Sequence, residues 1–280
     1  MIMNNRRLLK NELNRAVFNV GMMLSIAIST VLVFLFCKDY LGLWNEVEIP
    51  EGFYEPLRGG TPLSGWIISV PSPQVFYLYY LVSFLAILPY GMSFLTDIRS
   101  GVIKNIMVRV KKSRYATYKF FATFVSGGIA LVMPLAISLL INLSFVPVQM
   151  VKPEVLPLQG ITWLEKLLYT QPLLYILIYM CLYFMLGGIL ACLSFLIATV
   201  SRNRLTVFLT PFFVMLLILF VQQRLMIMGA GSDVIKYFPF TFMFGFSIRG
   251  GMEIILGGLL VIAVVEYVVF RHRVCKMEVM

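Results

Sequence analysis

The residues of this chain whose types and spacing could do chemistry are concentrated between positions 97 and 119. This segment holds seven of the chain's 23 Lys and Arg residues but one acid, Asp97. The cations are Arg99, Lys104, Arg109, Lys111, Lys112, Arg114 and Lys119. So dense a cluster of charge is predicted to lie in water, and its chemistry is electrostatic recognition of a partner or of anionic lipid.

Residue sets that catalysis would require do not occur in the sequence. No Gly-x-x-x-x-Gly-Lys-Ser/Thr phosphate loop is present, nor any His-Glu-x-x-His or Cys-x-x-Cys pair. The single histidine, His272, lies in the basic C-terminal segment, away from any partner for nucleophilic catalysis. We therefore predict that the chain is not an enzyme and holds no metal or cofactor. Any energy from ATP must then come from a partner.

The elements that position the cationic segment are long apolar runs. The 280-residue chain is 60% hydrophobic and only 13% charged, whereas a soluble domain carries roughly 25% charged residues. A helix needs about 20 apolar residues to cross the hydrocarbon core of a bilayer. Six segments are predicted to qualify, at about 16–37, 74–96, 120–146, 172–200, 205–223 and 251–270.

The distribution of charge predicts the topology. Sixteen of the 23 basic residues fall on the face that receives the N-terminal segment, residues 97–119, the turn 201–204 and the C-terminal segment. The opposite face, which includes the long outer loop 38–73, has more acids than bases. Both termini are therefore predicted to be cytoplasmic. Because the cations adjoin apolar spans, membrane lipid is the expected partner and nucleic acid is not.

Helical periodicity divides the cationic segment into two faces. At 100° per residue, one face is apolar and the other polar. The apolar face holds Val102, Ile103, Ile106, Met107 and Val110, and the polar face holds Gly101, Lys104, Asn105, Lys111 and Lys112. Val108 is an apolar residue on the polar face. It is either a docking contact or an ordinary exposed valine.

These residues resemble a known family. Asp97-x-Arg-Ser-Gly-x-Ile-Lys-Asn-Ile-x-x-Arg109, followed by Lys112-Ser-Arg-Tyr-x-x-x-Lys119, resembles the second cytoplasmic segment of ABC-2 type transporter permeases. Residues 4–15, with an apolar stripe of Leu9, Leu13 and Val17, are similar to the family's N-terminal amphipathic elbow helix. The stretch from Gly187 to Arg204 resembles its fourth span and inner turn, and Tyr237 to Phe240 its outer re-entrant region.

The resemblance implies a fold and a function. The fold would be one all-α transmembrane domain over residues 1–280, with six spans, an elbow helix and a cytoplasmic coupling helix. The coupling helix would dock on a separate ABC ATPase subunit, and a second permease copy, identical or different, would complete the pore. The docking surface would comprise Asp97, Arg99, Gly101, Lys104, Asn105, Val108, Arg109 and Lys112.

The expected function is export of a substrate across the cell membrane. Spans rich in Tyr and Met, such as 172–200, favour an amphipathic or apolar passenger, a peptide, drug or lipid-like molecule. The alternative function is a non-transporting membrane scaffold or sensor that binds a cytoplasmic partner. ATP would not alter the spacing of the spans in such a protein.

Two further features concern the spans themselves. Glu266 is the one acid well inside a span, and it either pairs with Arg202, Arg204 or Arg271 or forms a cation or proton site. Small residues recur at i, i+4, i+7 and i+11 on the fourth span, a spacing typical of close helix packing. They are Gly187, Ala191, Ser194 and Ala198.

Overall fold

The computed structural model describes residues 5–46, 66, 73–145, 165–228 and 252–277, and within these ranges the chain is all helical. Ten helices follow one another there. They are α1 (Asn5–Val17), α2 (Val20–Glu46), α3 (Pro73–Ile87), α4 (Ser93–Arg99), α5 (Val102–Arg109), α6 (Lys112–Phe145), α7 (Glu165–Thr170), α8 (Pro172–Ala198), α9 (Arg204–Ile227) and α10 (Met252–Lys276).

Four helices have the length and composition needed to cross a membrane, namely α6, α8, α9 and α10. A fifth span results if α1 and α2, which meet at a bend of 40°, are counted as one. Long apolar helices in this number indicate a multi-pass membrane protein. The loop residues 47–65 and 67–72, and the stretch from Tyr237 to Phe240, lie outside the described residues.

The bend between α1 and α2 is built around Asn19. Its side-chain amide donates to the carbonyl oxygens of Arg15 and Ala16, both at 2.9 Å, at the end of α1. Its side-chain oxygen accepts the backbone N–H of Met22 at 2.8 Å, in the first turn of α2. One side chain therefore ends the amphipathic helix and begins the apolar one, because it supplies both kinds of hydrogen bond that helix ends lack.

The segment predicted as the second span, 74–96, is not one continuous helix. Helix α3 ends at Ile87, a turn follows, and α4 begins at Ser93. Pro89 explains the break, since in a helix its ring would collide with the carbonyl group of Leu85. That carbonyl oxygen instead accepts a hydrogen bond from the Ser25 hydroxyl of α2 at 2.7 Å.

The predicted loop 38–73 is partly helical, since α2 extends to Glu46, and Trp66 between α2 and α3 belongs to the core. Its side chain is buried, and its indole N–H donates to the Leu135 carbonyl oxygen of α6 at 2.9 Å. Its ring meets that of Tyr179 in α8 edge-on, with centroids 5.4 Å apart. The Trp66 side chain therefore bridges α6 and α8.

Small residues line the seam between α6 and α8. A side-chain carbon on Gly187 would collide with the backbone of Gly127, and one on Gly127 would lie 2.6 Å from the Cβ of Ala191. The hydroxyl of Ser194 donates to the Gly91 carbonyl oxygen at 2.8 Å. All four members of the predicted stripe are buried, including Ala198. Helix α8 thus occupies the centre of the bundle.

Candidate functional site

Six polar side chains meet where α1, α4 and α6 come together, and we call them the charge cluster. Its members are Glu12, Arg15, Tyr90, Asp97, Tyr115 and Lys119. Arg15 is half-exposed, and the other five are buried. Two carboxylates face two cations, so the formal charges balance.

Lys119 occupies the middle of the charge cluster and is fully buried. Its Nζ donates to Asp97 Oδ2 at 2.7 Å, to Glu12 Oε2 at 3.1 Å and to the Tyr90 hydroxyl at 2.9 Å. An ammonium group has three protons to donate, so every one is used. The Tyr90 hydroxyl in turn donates to Glu12 Oε2.

Arg15 and Tyr115 supply further hydrogen bonds to the two carboxylates. Arg15 donates to Asp97 Oδ1 at 3.2 Å and to Glu12 Oε1 at 3.4 Å. The Tyr115 hydroxyl donates to Asp97 Oδ2 at 3.0 Å. Buried ion pairs stabilise a protein only when their other hydrogen-bonding positions are satisfied as well. This network meets that condition and connects α1, α4 and α6.

The surroundings of Asp97 keep its carboxylate charged. Burial alone would raise its pKa, but the charge and hydrogen bond of Lys119 oppose burial, and Arg15 and Tyr115 add to them. The balance holds the pKa of Asp97 below its ordinary value. The folded protein therefore stabilises the ionised form of Asp97.

The prediction that Asp97 lies on an exposed docking surface is wrong. Its side chain is 2% exposed because it points into the charge cluster. The cluster itself was not predicted, although Glu12 carried a signal. It lies between Leu8 and Ala16 on one helical line, and these three residues form the buried face of α1. The predicted apolar stripe of α1, formed by Leu9, Leu13 and Val17, is only partly buried.

Helix α5 presents the exposed surface of the cationic segment. It begins after Gly101, whose φ of +71° favours glycine. Ile103 is buried, which anchors the helix on the bundle. Lys104, Asn105 and Arg109 are exposed on the other side, and Val108 among them is 87% exposed. The helix is two-faced, as its periodicity predicts.

Two residues predicted for this surface hold the ends of α5 in place. Arg99, just before it, donates from its guanidinium to the Arg202 carbonyl oxygen in the turn between α8 and α9. Lys112, just after it, donates from Nζ to the Met277 carbonyl oxygen at 2.7 Å, past the end of α10. The helix is thereby tied to both neighbouring parts of the bundle.

Glu266 lies on the buried side of α10 and is 5% exposed. Its Oε2 has no hydrogen-bond partner, and no cation among the described residues forms an ion pair with it. The interpretation that it pairs with Arg271 is wrong, since that guanidinium binds the Ser113 hydroxyl at 2.9 Å. Pairing with Arg202 or Arg204 does not occur either, and both side chains are exposed.

Comparison with known proteins adds no family to this picture. No protein-family model matches the chain, and no curated protein sequence matches it significantly. The functional interpretation therefore depends on the charge cluster, on the exposed face of α5 and on the resemblance of residues 97–119.

Proposed function

We propose that this chain is the permease subunit of an ATP-driven ABC transporter of the ABC-2 type. In this proposal it crosses the cell membrane six times, with both termini in the cytoplasm, and pairs with a second permease copy. A separate ABC ATPase binds and hydrolyses ATP, because this chain has no phosphate loop. The transporter exports an amphipathic or apolar substrate. The direction and the substrate class follow from the resemblance and from the Tyr- and Met-rich spans.

The observation that carries the proposal is the exposure of Val108. An apolar side chain surrounded by Lys104, Asn105 and Arg109 forms an apolar centre with a polar rim. Protein interfaces are commonly built in this way. The patch is small, which suits a surface that inserts into a groove of a partner.

The charge cluster gives docking a mechanical consequence. Helix α5 follows α4 directly, and α4 carries Asp97 into the network that binds α1 and α6. Breaking one bond in this network would leave a buried charge unpaired, at several kcal/mol. The three helices therefore move together when a partner displaces α5, and α6 carries the movement into the apolar part of the bundle.

A crosslinking experiment tests the docking face. Val108→Cys is made in a background from which Cys37, Cys181 and Cys275 have been removed. The variant is treated with a short bifunctional thiol–amine reagent in native membranes, and adducts are identified by mass spectrometry. The expected adduct is an ATPase with the phosphate-loop motif. Adducts to lipid alone would overturn the proposal.

The native Cys275 provides the matched control, since it is also exposed and lies near the end of α10. A chain that lacks Cys37 and Cys181, retains Cys275 and has Val108 unchanged should give little of the ATPase adduct. ATP distinguishes the transporter from a scaffold. In a transporter, ATP and a non-hydrolysable analogue should change spin-label distances between α6 and its copy, whereas a scaffold would show no change.

A further inference from the structure

The beginning of α6 and the end of α10 are joined side by side through polar groups. Arg271 Nε donates to the Ser113 hydroxyl at 2.9 Å. One turn deeper, the hydroxyl groups of Thr117 and Tyr267 lie 3.0 Å apart. These bonds define a seam between the two helices, and Arg271 lies on it with its guanidinium exposed.

The seam carries a concentrated positive charge. Residues 98–119 and 267–277 contain no Asp or Glu. Their exposed cations include Arg271 on the seam, Lys111 two residues before Ser113, and Lys276 near the end of α10. Glu266, the nearest acid along α10, has its side chain buried on the opposite side of that helix. An anion at the seam would therefore meet cations and hydroxyl groups and no exposed carboxylate from these two segments.

The exposed face of α10 is apolar near the middle of the helix and becomes cationic at Arg271. Towards the middle of the helix the face is apolar, and its exposed members are Val261, Val264, Val265 and Val268. One turn before Val261, Gly257 has no side chain, and a Cβ atom there would meet nothing within 4 Å. Arg271 lies at i+7 from Val264 and at i+3 from Val268, so it continues the same face. A strip of apolar surface thus ends at a guanidinium.

We propose that this seam binds an anionic phospholipid. The phosphate group accepts hydrogen bonds from Arg271 and is attracted by the positive charge of Lys111. One acyl chain lies along Val268, Val264 and Val261. Of the five N–H donors of Arg271, one on Nε binds Ser113 and one on Nη1 contacts the Tyr267 hydroxyl at 3.5 Å, which leaves three for a phosphate group. Lipid fits better than a soluble anion, because the cations adjoin an apolar strip on a helix able to span a membrane. The proposal requires only that α10 crosses the membrane, and it is independent of the transporter function.

The test compares two arginines on one helix. Purified protein is titrated with phosphatidylglycerol, and bound lipid is measured by native mass spectrometry, with phosphatidylcholine as the neutral reference. Arg271→Gln is expected to weaken phosphatidylglycerol binding about tenfold, the loss of one charge-assisted hydrogen bond. Arg273→Gln removes the same charge two residues away, off the seam, and should change binding less than twofold.

Several outcomes would overturn the proposal. Equal losses in the two variants would mean general attraction to the basic surface. Equal binding of phosphatidylcholine would mean that the headgroup is not recognised, and displacement by millimolar glycerol phosphate would mean a site for soluble phosphates. If Arg271→Gln does not fold, Arg271→Lys keeps the charge but loses the fork. It should fold and bind phosphatidylglycerol more weakly than the wild type, and unchanged binding would refute the site.

Discussion

Gly127 of α6 and Gly187 of α8 lie against each other with no space for a side chain on either residue. A Cβ atom on one would collide with the carbonyl oxygen of the other. The next glycine on each helix receives an aromatic ring, Phe184 over Gly128 and Phe124 over Gly188. In lipid, where apolar burial does not drive helices together, such close packing supplies much of the association.

The first prediction concerns this contact. Gly187→Ala should destabilise the detergent-solubilised protein by about 1–3 kcal/mol, because the new methyl group forces α6 and α8 apart. Thermal unfolding followed by tryptophan fluorescence measures the effect. Gly257→Ala is the matched control, since it makes the same change at an open position of α10, where the helix propensity of alanine should leave the melting temperature unchanged or slightly higher. Similar shifts in melting temperature for the two variants would contradict the close packing described between α6 and α8.

The second prediction concerns the centre of the charge cluster. Lys119→Met should cost about 3–5 kcal/mol, since it leaves the buried carboxylates of Asp97 and Glu12 short of a cation. Lys10→Met, at an exposed position of α1, removes an equal charge and should be neutral. The double change Lys119→Met with Asp97→Asn should recover part of the loss. No recovery would mean that packing, and not charge pairing, dominates at Lys119.

The third prediction compares two buried glutamates. Glu12→Gln removes a carboxylate that binds Lys119 and Arg15, so it should lower thermal stability and the yield of folded protein. Glu266→Gln removes no ion pair and should be tolerated, because an uncharged amide suits the same apolar site. Size-exclusion chromatography and thermal unfolding measure both. A collapse of the Glu266→Gln variant would show that the ionised group is needed for folding.

The fourth prediction is a pH dependence that originates in Asp97. Its pKa is lower in the folded protein than in the unfolded chain, so the folded state releases its proton more readily. The resulting stabilisation is complete above the unfolded pKa of about 3.9 and is lost as the pH falls through the folded value. Melting temperatures measured from pH 7 to pH 3 should therefore decline at the acidic end. Asp97→Asn should start lower and decline less, and parallel curves would contradict this origin.

Periodicity alone was enough to predict the two faces of α5. Ile103 is buried while Lys104, Asn105 and Val108 are exposed, because a helix eight residues long presents each position at a fixed angle. The apolar runs likewise predicted the long helices. A local pattern determines these features, so no knowledge of distant residues is required.

The charge cluster could not be predicted in the same way. Glu12 and Lys119 are 107 positions apart, and the sequence contains many other acids and bases that could have paired. Which pair meets depends on how α1 packs against α6, and that packing depends on the bend at Asn19 and the break at Pro89. The sequence analysis took Leu9, Leu13 and Val17 as the apolar stripe of α1, so the burial of Glu12 was not predicted either.

The six members of the charge cluster all lie between residues 12 and 119, before α8, α9 and α10 in the chain. During synthesis the ribosome therefore delivers both carboxylates and both cations before most of the apolar mass has been made. Their charges can neutralise one another early, while the later helices still await insertion. A substitution that delays this pairing would expose unpaired charge to the insertion machinery and to quality-control proteases.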